Sequence, residues 1–132
     1  KIPGGLPGVQ TRGTLLYTYG VKTGKITQEQ MCRLLSENAA KLYGVYPKKG
    51  VIREGSDADI VLMNPDMEVT ITKNILHENV DYTPYEGIQV KGWPVMTMVR
   101  GQAVVENERL QVPLGFGRYI NRKPVKYTEL LK

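Results

Sequence analysis

Apolar positions recur at two different periods along this chain, and the change falls near Pro47. Upstream, Met31, Leu34, Leu35, Ala39 and Leu42 are spaced three and four residues apart, as one buried face of a helix requires. Thr27 with Gln30 three residues later fits a capping box opening that helix. Asn38 interrupts the stripe, so a break and restart are expected there, with Gly44 closing the helix. An earlier helix is predicted over about residues 9–19, with Leu15, Leu16 and Tyr19 on one side and Gly20 or Gly24 ending it. Before it, Pro3-Gly4-Gly5-Leu6-Pro7-Gly8 must turn sharply and reads as a loop.

Downstream of Pro47 the pattern changes to short apolar runs. Ile60-Val61-Leu62-Met63, bounded by Asp59 and by Asn64-Pro65, predicts a strand buried on both faces. Val69 and Ile71 alternate with Thr70 and Thr72, and further strands are expected around Val90, Val95 to Val99 and Ala103 to Val105. Gly92-Trp93-Pro94 and Arg100-Gly101-Gln102 are the predicted turns between them. The fold class is therefore mixed α and β: two helices, then four or five strands. A weak helical pattern at Tyr127, Leu130 and Leu131 is expected to order only against a partner.

Composition narrows the picture. Hydrophobic residues at 41% and charged residues at 23% are ordinary for a globular chain, and no apolar run reaches the length needed to span a bilayer. The start, Lys1-Ile2-Pro3-Gly4-Gly5, has neither an initiator Met nor a leader pattern, so an internal piece of a longer, cytoplasmic protein is expected. Cys32, the single cysteine, cannot form an internal disulfide. The net charge of +5 resides in the tail, since twelve Lys and Arg balance twelve Asp and Glu through Glu108. Nucleic-acid readers usually show denser basic clusters with stacking aromatics. The expectation is accordingly no nucleic-acid partner, and a tail that packs on a neighbouring subunit or stays solvated.

Few residues invite a chemical role on their own. His77, with Glu78 beside it and Asp81 four residues on, has the start of a zinc-helix spacing, but the second histidine is missing and Pro84 limits any helix. It is read as a surface or interdomain residue. Asp57 and Asp59 in Ser56-Asp57-Ala58-Asp59 precede a strand, where such side chains bond turn amides, so their expected role is structural. Trp93 is read as a packing anchor at a sheet turn. Cys32 lies one position off the helix stripe and has no partner base in the pattern.

Longer motifs carry more. Pro7-Gly8-Val9-Gln10-Thr11-Arg12, the stretch from Asn38 to Pro65, Asp81-Tyr82-Thr83-Pro84-Tyr85-Glu86-Gly87, Val90-Lys91-Gly92-Trp93-Pro94 and Gly115-Phe116-Gly117-Arg118-Tyr119-Ile120 together resemble the cyclic amidohydrolases, the D-hydantoinase and dihydropyrimidinase family. The order and spacing match over essentially the whole chain. Two departures are Gly4, where the family commonly has Asn, and Gln10, where it usually has Glu.

The resemblance implies the last loop and helices of a TIM-like (β/α)8 barrel over 1–46, strands of a composite C-terminal β-sandwich over 47–117, and a basic tail over 118–132 that exchanges between subunits. It implies hydrolysis of hydantoin or dihydropyrimidine rings at the amide C–N bond by a hydroxide bridging two metal ions, usually zinc, held by four histidines, a carboxylated lysine and an aspartate. Those ligands lie upstream of the Ile2-Pro3-Gly4-Gly5 loop, so this chain alone is expected to hold no metal and to be inactive. A barrel alone needs roughly 250 residues, so the expected partners are the rest of the parent chain, its cyclic amide substrate, and further copies in a homodimer or homotetramer. Gly4 and Gly5 are the expected substrate contacts, through backbone groups. The alternative is a non-catalytic dihydropyrimidinase-like oligomeric interaction protein, whose tail pattern Gly117 to Ile120 and Arg122 to Pro124 shares.

Overall fold

The computed structural model describes residues 4–125. It divides into two units, residues 1–27 with 63–93 and residues 28–62 with 94–132. Four strands run β1 (Ile60–Thr70), β2 (Gln89–Val99), β3 (Gln102–Glu106) and β4 (Arg109–Leu110), in the sheet order β1-β2-β3-β4.

In the first unit, an α-helical turn at Arg12–Leu16 passes directly into a π-helical turn at Tyr17–Val21, and together they form α1. The helix starts later than its hydrophobic pattern predicts because residues 9–11 are a turn. Its buried face also differs from the expected Leu15, Leu16 and Tyr19. Thr14 and Tyr17 are buried and Tyr19 is exposed. The reason is polar docking. Thr14 Oγ1 donates to the Gly92 carbonyl at 2.5 Å, Thr18 Oγ1 donates to the Lys91 carbonyl at 2.9 Å and accepts the Lys91 N–H at 3.1 Å, and Tyr19 Oη donates to the Gln89 carbonyl at 2.8 Å. Hydroxyls thus satisfy backbone groups of β2, which buried without partners would be costly.

This docking explains why Gly92-Trp93-Pro94 is not the predicted turn. All three residues lie inside β2. Gly92 takes φ +94°, and a Cβ there would stand 2.4 Å from Tyr17 Cδ1, so glycine serves close approach of α1 rather than chain reversal. Trp93, 4% exposed, packs with Ile71 and Val90 in a core flanked by Leu15, Val69, Ile75, Leu76, Tyr85 and Ile88. Ile71 lies just past β1, where its N–H donates to Ile88 O at 2.9 Å and its carbonyl accepts Gly87 N–H at 2.8 Å.

In the second unit, α2 is continuous through Gln28–Cys32, a π-helical turn at Arg33–Glu37, and Asn38–Leu42. Asn38 holds helical angles of −62° and −41°, so the predicted break does not occur; its side chain faces solvent instead of interrupting a core. The π turn shifts the face that the 3–4 spacing predicts. Met31 and Ala40 are buried, whereas Leu34 and Leu42 are more than half exposed. Gly44 closes the helix at φ +68°, its N–H bonding Lys41 O at 3.1 Å while Val45 N–H bonds Ala40 O at 2.9 Å, the paired bonds of a Schellman motif.

β1 also departs from expectation. It runs through Asn64-Pro65 instead of stopping there, and Val61 and Leu62 are exposed instead of buried on both faces. Its place at the edge of the sheet accounts for the proline, since an edge strand tolerates a residue that donates no ladder bond. Arg100 and Gly101, at φ 52° and 79°, join β2 to β3 with Val99 opposite Gln102, the two-residue turn whose twist suits a hairpin. Asn107 and Glu108 make a second such turn into β4, which the hydrophobic pattern does not announce.

Candidate functional site

Gly4 and Gly5 lie in the loop before α1, exposed, with nothing within 4 Å of where a Cβ would project from either. Their peptide groups are therefore open to close approach by a ligand. The loop is held from one side by the segment 77–85 of the same unit. Tyr82 Oη donates to the Gly5 carbonyl at 3.3 Å, a long bond. A side chain on Gly8 would meet Tyr85 Cε2 at 3.5 Å, so the tyrosine ring lies over that glycine. His77 N–H donates to Gln10 Oε1 at 2.7 Å. The glycine loop and Asp81-Tyr82-Thr83-Pro84-Tyr85-Glu86-Gly87 motif, far apart in sequence, thus meet at one place. Sequence reasoning named the motif but gave Tyr82 and Tyr85 no role; only the fold shows what they touch.

His77 is exposed. Among the described residues, no group of three or more His, Cys, Asp and Glu side chains is arranged to hold a metal ion. The implied ligand set of four histidines also exceeds the one histidine in the whole sequence. These described residues do not fit a metal centre.

Asp57 and Asp59 lie in the second unit. Asp57 accepts Lys48 Nζ at 2.7 Å and Lys49 Nζ at 3.0 Å. Asp59 takes the Arg100 N–H of the hairpin turn at 2.9 Å and pairs with Lys49 through its other oxygen. The hydrogen bond from Lys48, then that from Lys49, holds the Asp57 carboxyl below its ordinary value. Burial works against the charge on Lys49, but its bonds to Asp59 and Asp57 prevail and raise its pKa. A carboxylate neutralised by two lysines is poorly suited to accept a proton. Trp93 is enclosed in the first unit's core, and Cys32 is exposed on α2.

An amidohydrolase family model matches residues 8–104. D-hydantoinase of Geobacillus stearothermophilus is 41% identical over 131 residues, which is 99% of this chain and 27% of that protein. Among solved structures, D-hydantoinase from Bacillus sp. AR9 superposes with a TM-score of 0.92 at 42% identity, covering 96% of this chain and 28% of the other. Dihydropyrimidinase from Brevibacillus agri NCHU1002 gives 0.84 at 43% identity, covering 86% and 25%. The chain spans about a quarter of the length of the relatives it matches, and its mixed helix-and-strand fold is consistent with part of a TIM-barrel hydrolase. With a family model covering most of its length and two structures matching its fold, the chain belongs to the amidohydrolase family, on its hydantoinase and dihydropyrimidinase side.

Proposed function

We propose that this chain is part of a metal-dependent cyclic amidohydrolase that opens hydantoin or dihydropyrimidine rings at the amide C–N bond. In this reading residues 1–46 end the hydrolase barrel, 47–117 contribute strands to a composite β-sandwich, and 118–132 form a basic tail at a subunit contact. The metals, two zinc ions in this reading, are held by residues outside this chain. The parent assembles as a homodimer or homotetramer in the cytoplasm.

The observation that carries the reading is the continuous similarity to hydantoinases from the glycine loop onward. The loop's chemistry supports it. A cyclic amide offers ring C=O and N–H groups along one edge, and exposed peptide groups at Gly4 and Gly5 present the complementary donors and acceptors without a side chain in the way. Low side-chain volume lets a planar ring lie close against the backbone. The relatives described above are hydrolases by name, and nothing among them favours a non-catalytic interaction protein.

The test is steady-state hydrolysis by the purified full-length parent, with hydantoin and dihydrouracil as substrates and metal content measured on the same sample. Ring opening that disappears on chelation and returns with zinc is the expected result. A metal-replete protein that opens neither ring refutes the reading.

A further inference from the structure

We propose that Tyr82 is a positioning residue for the substrate loop, with Gln10 as its second prop; the inference rests on the reading of Gly4 and Gly5 given above. Gly4, Gly5 and Gly8 give their part of the loop wide backbone freedom, and ordering it against a ligand costs entropy unless the chain orders it beforehand. Packing at Gly4 and Gly5 cannot supply that order, because beyond the adjoining residues no atom lies within 4 Å of either Cβ position.

What supplies it comes from residues 77–85. This segment has a fixed base: Thr83 is buried, its Oγ1 accepts Tyr85 N–H at 3.3 Å, and Tyr85 O accepts Ile88 N–H at 3.1 Å while its ring packs on the Ile71, Val90 and Trp93 core. From that base the three contacts to the loop fall at Gly5, Gly8 and Gln10, close to both ends of its glycine-rich part. The contact at Gly5 has a geometric consequence. A peptide group is planar and trans, so a Gly5 carbonyl turned toward Tyr82 Oη turns the Leu6 N–H away from it. Tyr82 thereby selects which side of the loop offers a donor and which an acceptor. The 3.3 Å length leaves room for the bond to tighten when a ring is bound. Gln10 fixes the other end by a single acceptor oxygen, a role that a carboxylate can also fill and an aliphatic side chain cannot.

The experiment uses the full-length parent as wild type, Tyr82→Phe, Gln10→Leu and Gln10→Glu. Kinetics on hydantoin and dihydrouracil are paired with amide hydrogen exchange over residues 4–10. Tyr82→Phe keeps the ring and loses only the hydroxyl, so KM is expected to rise about three- to tenfold with kcat within about twofold, as for loss of one hydrogen bond that preorganises binding. Exchange at Gly5 and Leu6 is expected to quicken in the same variant. Gln10→Leu raises KM similarly, and Gln10→Glu keeps it near wild type. A purely structural role would lower the melting temperature and leave KM and loop exchange unmoved, and that result overturns the inference. If the wild type opens neither ring, the functional reading falls and the substrate role of Tyr82 falls with it. Unchanged KM and exchange in an active enzyme overturn the inference alone.

Discussion

At the scale of single residues, position in the fold decides what a given side chain does more than its type. Asp57 and Asp59 have the look of a carboxylate pair, yet the two lysines at 48 and 49 turn them into a clip between a loop and a hairpin turn. This sets a pH dependence. Because the folded Asp57 carboxyl lies below its ordinary value of 3.8, its contribution to stability is full above that value and fades as pH falls through the lower folded one. Lys49, raised above 10.5, contributes below that pH and loses its contribution as pH climbs through the folded value. Asp57→Asn is therefore expected to flatten the acid limb of a melting-temperature profile below about pH 4 relative to wild type. Identical acid limbs in the two proteins would remove Asp57 as a source of acid sensitivity. The strand-leading position of Asp57 already pointed to a structural role, but its lysine partners were not legible, because they stand eight and nine residues away and reach Asp57 only after the chain turns.

At the scale of elements, both ends of α2 were legible, whereas the start of α1 and the helix faces were not. Thr27 stands immediately before the first residue of α2, where a capping residue belongs, and Gly44 terminates it. The face of α1 is set by hydroxyls docked on β2, and that of α2 shifts because the helix contains a π turn, with Asn38 N–H bonding Arg33 O. A 3.6-residue count cannot register that insertion. Gly44 also has a second duty in its own unit. Its carbonyl accepts Lys123 N–H at 2.9 Å, and a Cβ there would stand 2.0 Å from Lys123 O. Gly24 has a similar φ, +74°, but open space around it. Gly44→Ala is thus expected to cost about 2–4 kcal/mol, from the left-handed backbone and the displaced segment at Lys123 together. Gly24→Ala should cost only about 1 kcal/mol. Urea unfolding of the two variants measures the difference, and equal losses would mean that residue 123 does not press on Gly44.

At the scale of the molecule, much apolar surface lies uncovered. Among the described residues only Tyr17, Met31, Ala40, Ile71, Val90 and Trp93 are buried apolar side chains. Val9, Ile52, Leu114 and Tyr119 are each more than four-fifths exposed. The polar side agrees: among the described residues Glu78 has both carboxylate oxygens buried without a hydrogen-bond partner, a costly state unless another chain segment supplies a donor. Exposed edge strand β1, with Val61, Leu62 and Met67 outward, is a template for further pairing. A surface of this kind is expected when most of a larger fold is required to cover it. Produced alone, the 132-residue chain should therefore enhance the fluorescence of a hydrophobic dye strongly, and the full-length parent should not. Equal, weak dye binding by both would show that these side chains need no further cover. No helix of the described residues is long and apolar enough to cross a membrane, so that surface does not read as a helical membrane span.

The sequence by itself determined the family, the mixed helix-and-strand class, the glycine loop and the helix terminators. Each of these depends on local motif order or on a backbone preference that a residue carries wherever it stands. The tertiary structure alone decided that Gly92 receives α1 instead of turning the chain, that Pro65 sits within an edge strand, that Asp57 is neutralised by lysines, and that Tyr82 reaches Gly5. Those outcomes depend on which distant segments meet, and hydroxyl-to-backbone docking, π turns and edge position leave no periodic trace in one dimension.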